Sequence, residues 1–198
     1  MKFFFAENCD TVDPGYDFLR DQPSPGRNRS HDLFAHEVLS SIPYDGLLVS
    51  RSLVEGQTTS KRYTQAQKFR ILREGLRAGL RYPHPDFSGD PFDYPLMGDC
   101  GAFSYIDCPT PPFSAEDTFE FYRCAGVQYG VSPDHIISGW NPMWDRSRLR
   151  PPEVQDRLNF TMSSARQFLE LARTAPWKFV PIAPIQCWSV SSAVRQAR

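Results

Sequence analysis

The chain of 198 residues lacks several features that would assign a protein to a class at once. It has no run of eighteen apolar residues, so we expect no transmembrane helix and no membrane partner. The apolar stretch within Met1–Glu7 is too short for a secretory signal and already ends at an acidic residue, Glu7. We therefore expect a cytoplasmic location. The five cysteines include no CxxC pair, so we expect no disulfide framework, no metal site and no cofactor in this chain.

Lysine is also scarce, since only four of the 22 basic residues are lysines. The net charge of −1 argues against a uniformly basic surface that would coat a nucleic acid. Arginine binds phosphate through two parallel hydrogen bonds and stacks on bases, although a codon preference for arginine explains the same excess. The cluster Arg146, Arg148 and Arg150, close in sequence to Trp140 and Trp144, is therefore a candidate nucleic-acid contact; the alternative is a solvated loop.

What the sequence does contain is an alternation of strand-like and helix-like segments. The length and a hydrophobic content of 40% indicate one globular domain. Five apolar segments have strand character: Lys2–Ala6, Gly46–Ser50, Tyr94–Met97, His135–Ser138 and Phe179–Ile185. Helical patterns cover Lys61–Leu80, Ser114–Gly126 and Pro152–Thr174. Because helices follow strands, the order predicts an α/β protein with a parallel sheet.

One apolar segment runs directly into an acid that lies between two glycines. Its sequence is Tyr94-Pro95-Leu96-Met97-Gly98-Asp99-Cys100-Gly101-Ala102-Phe103-Ser104. The pattern predicts a buried strand that displays Asp99 at its carboxyl end. Glycine permits a positive φ and the close approach of a flat ligand, and a buried carboxylate needs a partner or a function. Asp99 is therefore the first candidate for chemistry; the alternative is a carboxylate that caps the turn.

The segment resembles the Asp-Ser-Gly-Gly-Phe-Gln motif of the tRNA-guanine transglycosylase superfamily. Asp99, Gly101 and Phe103 agree with the motif. Three positions differ from it: Cys100, Ala102 and Ser104. The opening Val12-Asp13-Pro14-Gly15-Tyr16-Asp17-Phe18 resembles the branch that inserts 7-deazaguanines into DNA. The resemblance implies a (β/α)8 TIM barrel, in which Asp99 handles the protons of a purine and Phe103 stacks on it beside the Gly101 turn.

A second segment, Phe179–Trp188, resembles the Val-Gln-Gly-Gly strand end of the same family. The resemblance implies that Gln186 hydrogen-bonds the base, since an amide offers both a donor and an acceptor. The glycines of the family motif are replaced here by Cys187 and Trp188. The alternative for Gln186 is a polar strand terminus.

Asp134 is the third base-binding candidate, because the family carries an aspartate that reads the guanine edge in this region. It precedes the apolar run His135–Ser138, so the predicted strand would place it at the bottom of a barrel. A turn acid beside a buried histidine is the alternative. Asn141 and Asp145 are further candidates, and Arg51 is a candidate phosphate ligand.

The resemblance covers residues 1–198 as the N-terminal part of a single TIM-barrel domain, the first five or so β/α units. The family's nucleophilic aspartate lies well after the glutamine strand, and its structural zinc site, a CxCxxC pattern with a histidine, lies further on. Neither occurs before Arg198. We therefore expect a zinc site only in a C-terminal part, and we expect this form to be inactive alone and to associate with a completing subunit or with itself.

Two functions remain open. The first is a transglycosylase that exchanges guanine in a polynucleotide, DNA before tRNA, for a 7-deazaguanine such as 7-cyano-7-deazaguanine through a covalent glycosyl-enzyme. The second is a non-catalytic partial barrel that binds a deazapurine or nucleic acid, or a subunit of a split enzyme. A barrel hydrolase is disfavoured, because no paired carboxylates or histidine-rich cluster stand out.

Overall fold

The computed structural model describes residues 1–56, 62–84 and 86–197. Its strands are β1 (Phe4–Glu7), β2 (Gly46–Ser50), β3 (Leu96–Asp99), β4 (Tyr129–Val131) and β5 (Val180–Ile182). All neighbouring pairs are parallel, and the spatial order is the chain order. The predicted fold class is confirmed: this is an α/β protein whose sheet has the strand order of part of a TIM barrel. Within the described residues the sheet is open, with β1 and β5 at its edges.

Six α-helices accompany the strands in the described residues. They are α1 (Ala35–Val38), α2 (Arg51–Glu55), α3 (Gln65–Leu80), α4 (Ala115–Ala125), α5 (Pro152–Arg173) and α6 (Val190–Gln196). Local chemistry fixes the ends of α4, because Ser114 caps its first turn and Gly126 ends it with a φ of 71°. In the part of the chain that the structure describes, no helix combines the length and the apolar character needed to span a bilayer.

The helix predicted over Lys61–Leu80 begins later, at Gln65, and Lys61 itself lies outside the described residues. Gly75 interrupts α3 with a φ of 85° and a ψ of 166°, so the two halves do not share one helical phase. If α3 were continuous, Phe69 would lie on the same buried face as Leu76 and Leu80. Because the helix is interrupted at Gly75, the Phe69 side chain is instead 65% exposed and Ile71 is buried.

The predicted fourth strand, His135–Ser138, is wrong. The strand is Tyr129–Val131, which pairs with both β3 and β5, and residues 132–140 continue as irregular chain beyond its carboxyl end. The apolar run is buried by packing on α5 and the neighbouring loops rather than by sheet pairing: the backbone N–H of His135 donates to Thr161 on α5. The correction moves Asp134 from the bottom of the sheet to its carboxyl edge.

The two faces of the sheet differ sharply. Leu47, Val49 and Leu96 have no solvent exposure and pack in the main core with the helices. A Cβ built on Gly98 would lie 2.3 Å from the ring of Tyr122 on α4, so this position faces the helix layer. The opposite face, which includes Ser50 and Asp99, is only partly covered. That open face is the one from which a ligand can approach.

Candidate active site at the carboxyl edge of the sheet

Asp99 is the last residue of β3 and lies in register with Ser50 on the open face. Its Oδ2 accepts a hydrogen bond from the backbone N–H of Gly101 at 3.0 Å. Burial, reinforced by the nearby charge of Asp134, raises the pKa of Asp99 from 3.8 to about 6. A carboxyl group with such a pKa can both accept and return a proton near neutral pH.

Gly101 makes the sharp turn that follows Asp99. Its φ is 82°, in the left-handed region that favours glycine. A Cβ at this position would lie 2.3 Å from the hydroxyl oxygens of both Ser50 and Ser52. The hydroxyl of Ser52 in turn donates to the carbonyl oxygen of Cys100 at 2.7 Å. The turn is therefore fitted closely to the end of β2, and any larger residue would push the two strand ends apart.

Asp134 and Gln186 meet although they follow different strands. The side-chain amide of Gln186 donates to Oδ2 of Asp134 at 2.5 Å, and its oxygen accepts from the backbone N–H of Ile137 at 3.1 Å. Asp134 is only 6% exposed. The structure thus brings together the three polar candidates Asp99, Asp134 and Gln186 at one edge, from the ends of β3, β4 and β5.

Cys100 and Tyr105 join this cluster and were not among the predicted site residues. The Cys100 thiol donates to Oδ1 of Asp134 at 3.1 Å, and the Tyr105 hydroxyl donates to the Cys100 sulfur at 3.1 Å. The Tyr105 hydroxyl also lies 3.3 Å from the Asp134 carbonyl oxygen. The one signal in the sequence was the cysteine directly after Asp99, where the family motif has serine.

Two groups at the site remain available to a ligand. Phe103 lies in the short 3-10 helix Ala102–Tyr105 and is 82% exposed, so it is not a core residue. The hydroxyl of Ser50, beside Asp99, is buried and has no hydrogen-bond partner within the described residues. A polar atom of a ligand, or water, can satisfy that hydroxyl.

The basic loop after β4 divides into two kinds of residue. Arg146 and Arg148 are exposed. Arg150 is half-buried and its guanidinium is engaged, since its Nε donates to the carbonyl oxygen of Trp144 at 2.9 Å and its guanidinium lies 4.3 Å from the ring centre of Trp188. Only the first two are therefore free to reach an external phosphate.

Three weaker candidates have structural roles. Asp145 accepts from Trp188 and Arg195 at 3.1 and 2.9 Å, which places it in the packing of α6. Asn141 caps the 3-10 helix Pro142–Asp145. Arg51 is buried, donates to Thr118 and Glu55, and stacks 3.9 Å above Phe113. The interpretation of Arg51 as a phosphate ligand is therefore wrong, because its guanidinium is used within the core.

Glu7, at the end of β1, is a second buried acid that the sequence did not single out. It is 3% exposed, and its Oε1 accepts from the backbone N–H of Cys9 at 2.5 Å. Burial raises its pKa from 4.5 to about 7, with a smaller contribution from the charge of Asp10. It lies in register with Val49, and therefore faces the helix layer rather than the open face.

The clustered groups are suited to proton transfer and to hydrogen bonding of a planar polar ligand. Across residues 1–56, 62–84 and 86–197, no three His, Cys, Asp or Glu side chains are grouped so that they could hold a metal ion. The chemistry that these side chains offer is therefore that of two neighbouring carboxyl groups, an amide and a thiol.

Comparison with known proteins places this site in context. No family model matches the chain. A DNA-guanine transglycosylase of Salmonella montevideo is 35% identical over 195 residues, which make up 97% of this chain and 44% of that protein. The chain therefore spans less than half the length of the curated relative. Over nearly its whole length the chain is therefore similar to part of a DNA-guanine transglycosylase, in agreement with the resemblance of the motif around Asp99.

Proposed function

We propose that this chain forms the purine-handling part of a transglycosylase that exchanges guanine in a polynucleotide for a 7-deazaguanine, such as 7-cyano-7-deazaguanine. The observation that carries the proposal is the convergence of Asp99, Asp134 and Gln186 on one edge of the sheet. They lie at or beyond the ends of three different strands, and their convergence at a site with an open face supports a shared task.

Asp99 is suited to the proton transfers of the exchange. When the glycosidic bond breaks, its electron pair goes to the purine, which then takes a proton. The incoming base gives up a proton when it forms the new bond. A carboxyl group with a pKa of about 6 can serve both steps, donating to the leaving base and accepting from its replacement.

Asp134 and Gln186 match the hydrogen-bonding edge of guanine. That edge presents two neighbouring N–H donors, on N1 and the 2-amino group, and one acceptor, O6. A carboxylate accepts from two parallel donors, and an amide N–H donates to a carbonyl oxygen. Within the part of the chain that the structure describes, Gln186 donates one of its two side-chain N–H groups, to Asp134, and the other can donate to O6.

The sugar side of the proposed reaction is inferred from the similarity to a DNA-guanine transglycosylase. A covalent glycosyl-enzyme needs a carboxylate nucleophile at the anomeric carbon, and the family's nucleophile has no counterpart that we can assign in these residues. We propose DNA as the polymer and tRNA as the second choice, because the relative's name specifies DNA. Arg146 and Arg148, exposed on the loop after β4, are the proposed phosphate contacts.

The decisive experiment measures base exchange and base binding separately. Labelled guanine is incubated with DNA or tRNA and the protein expressed from its whole gene, and incorporation into each polymer is counted. Calorimetry then measures the binding of guanine and 7-cyano-7-deazaguanine to the 198-residue chain. Binding with exchange supports the enzyme, whereas binding without exchange favours a base-binding protein. Absence of both would refute the proposal.

A further inference from the structure

The thiol of Cys100 lies at the centre of the site but takes no part in the exchange chemistry proposed above. It has no solvent exposure, so it is not a nucleophile that a ligand can reach. Burial, together with the charges of Asp99 and Asp134, raises its pKa above the ordinary value, so the thiol keeps its proton and acts as a donor. Its hydrogen bonds therefore need a different explanation.

Both oxygens of the Asp134 carboxylate are held by separate side chains. Oδ1 accepts from Cys100 at 3.1 Å, and Oδ2 accepts from Gln186 at 2.5 Å. Asp134 belongs to an irregular segment after β4, so regular strand geometry does not fix its side chain. Two donors, one on each oxygen, orient the carboxylate group. The Tyr105 hydroxyl donates to the Cys100 sulfur at 3.1 Å and thereby holds the thiol in position.

We propose that Cys100 is a positioning residue, which together with Tyr105 orients the Asp134 carboxylate to receive the two parallel N–H donors of guanine. The proposal rests on the proposed function, and it adds that base specificity depends on a residue that does not touch the base. A purine with a 2-amino group uses both carboxylate oxygens. Hypoxanthine, which lacks that group, uses one.

The thiol also suits this place physically. An S–H group is a weak donor, so it orients a carboxylate while neutralising little of its charge. Asp134 therefore keeps its strength as an acceptor for the base. A hydroxyl in the same position would still orient the carboxylate, whereas a methyl group would leave one buried oxygen without a partner.

The test compares the affinities of the 198-residue chain for guanine and hypoxanthine by calorimetry. We expect Cys100→Ala to lower guanine affinity about tenfold, as the loss of one oriented charge-assisted hydrogen bond would. Hypoxanthine affinity should change by less than about threefold, so the preference for guanine falls. Cys100→Ser should restore the preference. Cys108→Ala, which changes an exposed cysteine, is the matched control.

A merely structural role would lower both affinities together or reduce only the melting temperature. An unchanged guanine-to-hypoxanthine ratio in Cys100→Ala would therefore overturn the proposal. If that variant does not fold, Tyr105→Phe removes the hydroxyl that fixes the thiol, and should weaken the same preference by a smaller factor. Failure of the unmodified chain to bind guanine at all would instead refute the proposed function.

Discussion

The ends of β1 and β3 carry the same chemical group in opposite settings. Glu7 and Asp99 each complete a strand of the parallel sheet, and burial raises the pKa of both. Glu7 is in register with Val49 and faces the helices, whereas Asp99 is in register with Ser50 and faces the open side. Val49 and Ser50 are adjacent in β2, and adjacent residues of a strand point to opposite faces of the sheet. Glu7 and Asp99 therefore lie on opposite faces.

This contrast shows that a perturbed pKa alone does not identify a reactive group. Glu7 accepts from the backbone N–H of Cys9 and is buried on the helix side, away from the open face. Asp99 lies near a second carboxylate, Asp134, which in turn accepts from the amide of Gln186. We therefore propose Asp99, and not Glu7, as the proton-transferring group and expect Glu7 to affect only stability.

The largest expected effect is on exchange. Asp99→Asn keeps the size and the hydrogen bond from Gly101 but removes the proton-transferring group, so we expect a loss of about 100-fold or more in the rate of guanine exchange. Labelled-guanine incorporation by the protein expressed from its whole gene measures it. Glu7→Gln is the matched control and should keep the rate within about twofold. Equal losses of exchange rate in Asp99→Asn and Glu7→Gln would show that the carboxyl groups at the ends of β3 and β1 do not differ in their role in the reaction.

The control variant Glu7→Gln should itself alter the pH dependence of folding stability. The pKa of Glu7 is about 7 in the folded state against 4.5 unfolded, so the folded state retains a proton that the unfolded state has lost. Stability therefore falls as the pH rises from about 4.5 to about 7, by roughly 3 kcal/mol. Glu7→Gln, which can still accept from Cys9, should be more stable than the parent at pH 8 and similar at pH 4. Urea unfolding at both values tests this, and equal stabilities at pH 8 would contradict it.

Asp134→Asn should weaken base binding while leaving the end of β1 unaffected. The variant replaces a carboxylate oxygen by an amide that cannot accept from two purine N–H groups, so guanine affinity should fall about tenfold or more. The pKa of Asp99 should fall toward its usual range, because the charge of Asp134 helps to raise it. Carboxyl NMR titration measures that pKa. An unchanged Asp99 titration would show that the two carboxyl groups are not coupled.

The pH dependence of exchange should follow Asp99 rather than Glu7. Asp99 must be protonated to donate to the leaving base and ionised to accept from its replacement, and its pKa is about 6, so the rate of exchange should be highest near pH 6 and fall several-fold on either side, by about pH 4 and about pH 8. Glu7→Gln should leave the pH of this maximum in place. A maximum that moved in that variant would place Glu7 in the reaction.

The smallest effect concerns the polymer. Arg146→Ala and Arg148→Ala should each weaken polynucleotide binding a few-fold and reduce the salt dependence by about one counterion. Arg73→Ala, an exposed arginine on α3, is the control. Equal changes of polynucleotide affinity and salt dependence in all three variants would indicate that the loop after β4 makes no specific phosphate contact.

Much of the fold was predictable because local chemistry specifies it. Ser114 and Gly126 mark the ends of α4, and the β2 strand Gly46–Ser50 was predicted with its observed bounds. The prediction that Asp99 lies at the carboxyl edge of the sheet is confirmed. These features depend on a few residues that are adjacent in sequence, so the sequence contains the information directly.

Other features depended on which segments pair in space. Tyr129–Val131 is a strand because β3 and β5 flank it, although His135–Ser138 is the more strand-like run by composition. That choice moves Asp134 to the carboxyl edge, where it meets Gln186 across 52 positions of sequence. Local sequence patterns were enough to predict the motif around Asp99, the α/β order and the position of Asp99 at the end of a strand. The network of Cys100, Asp134 and Gln186, and the orientation of Glu7 away from it, follow from the folded structure, because contacts between distant residues depend on sheet pairing and burial rather than on local propensity.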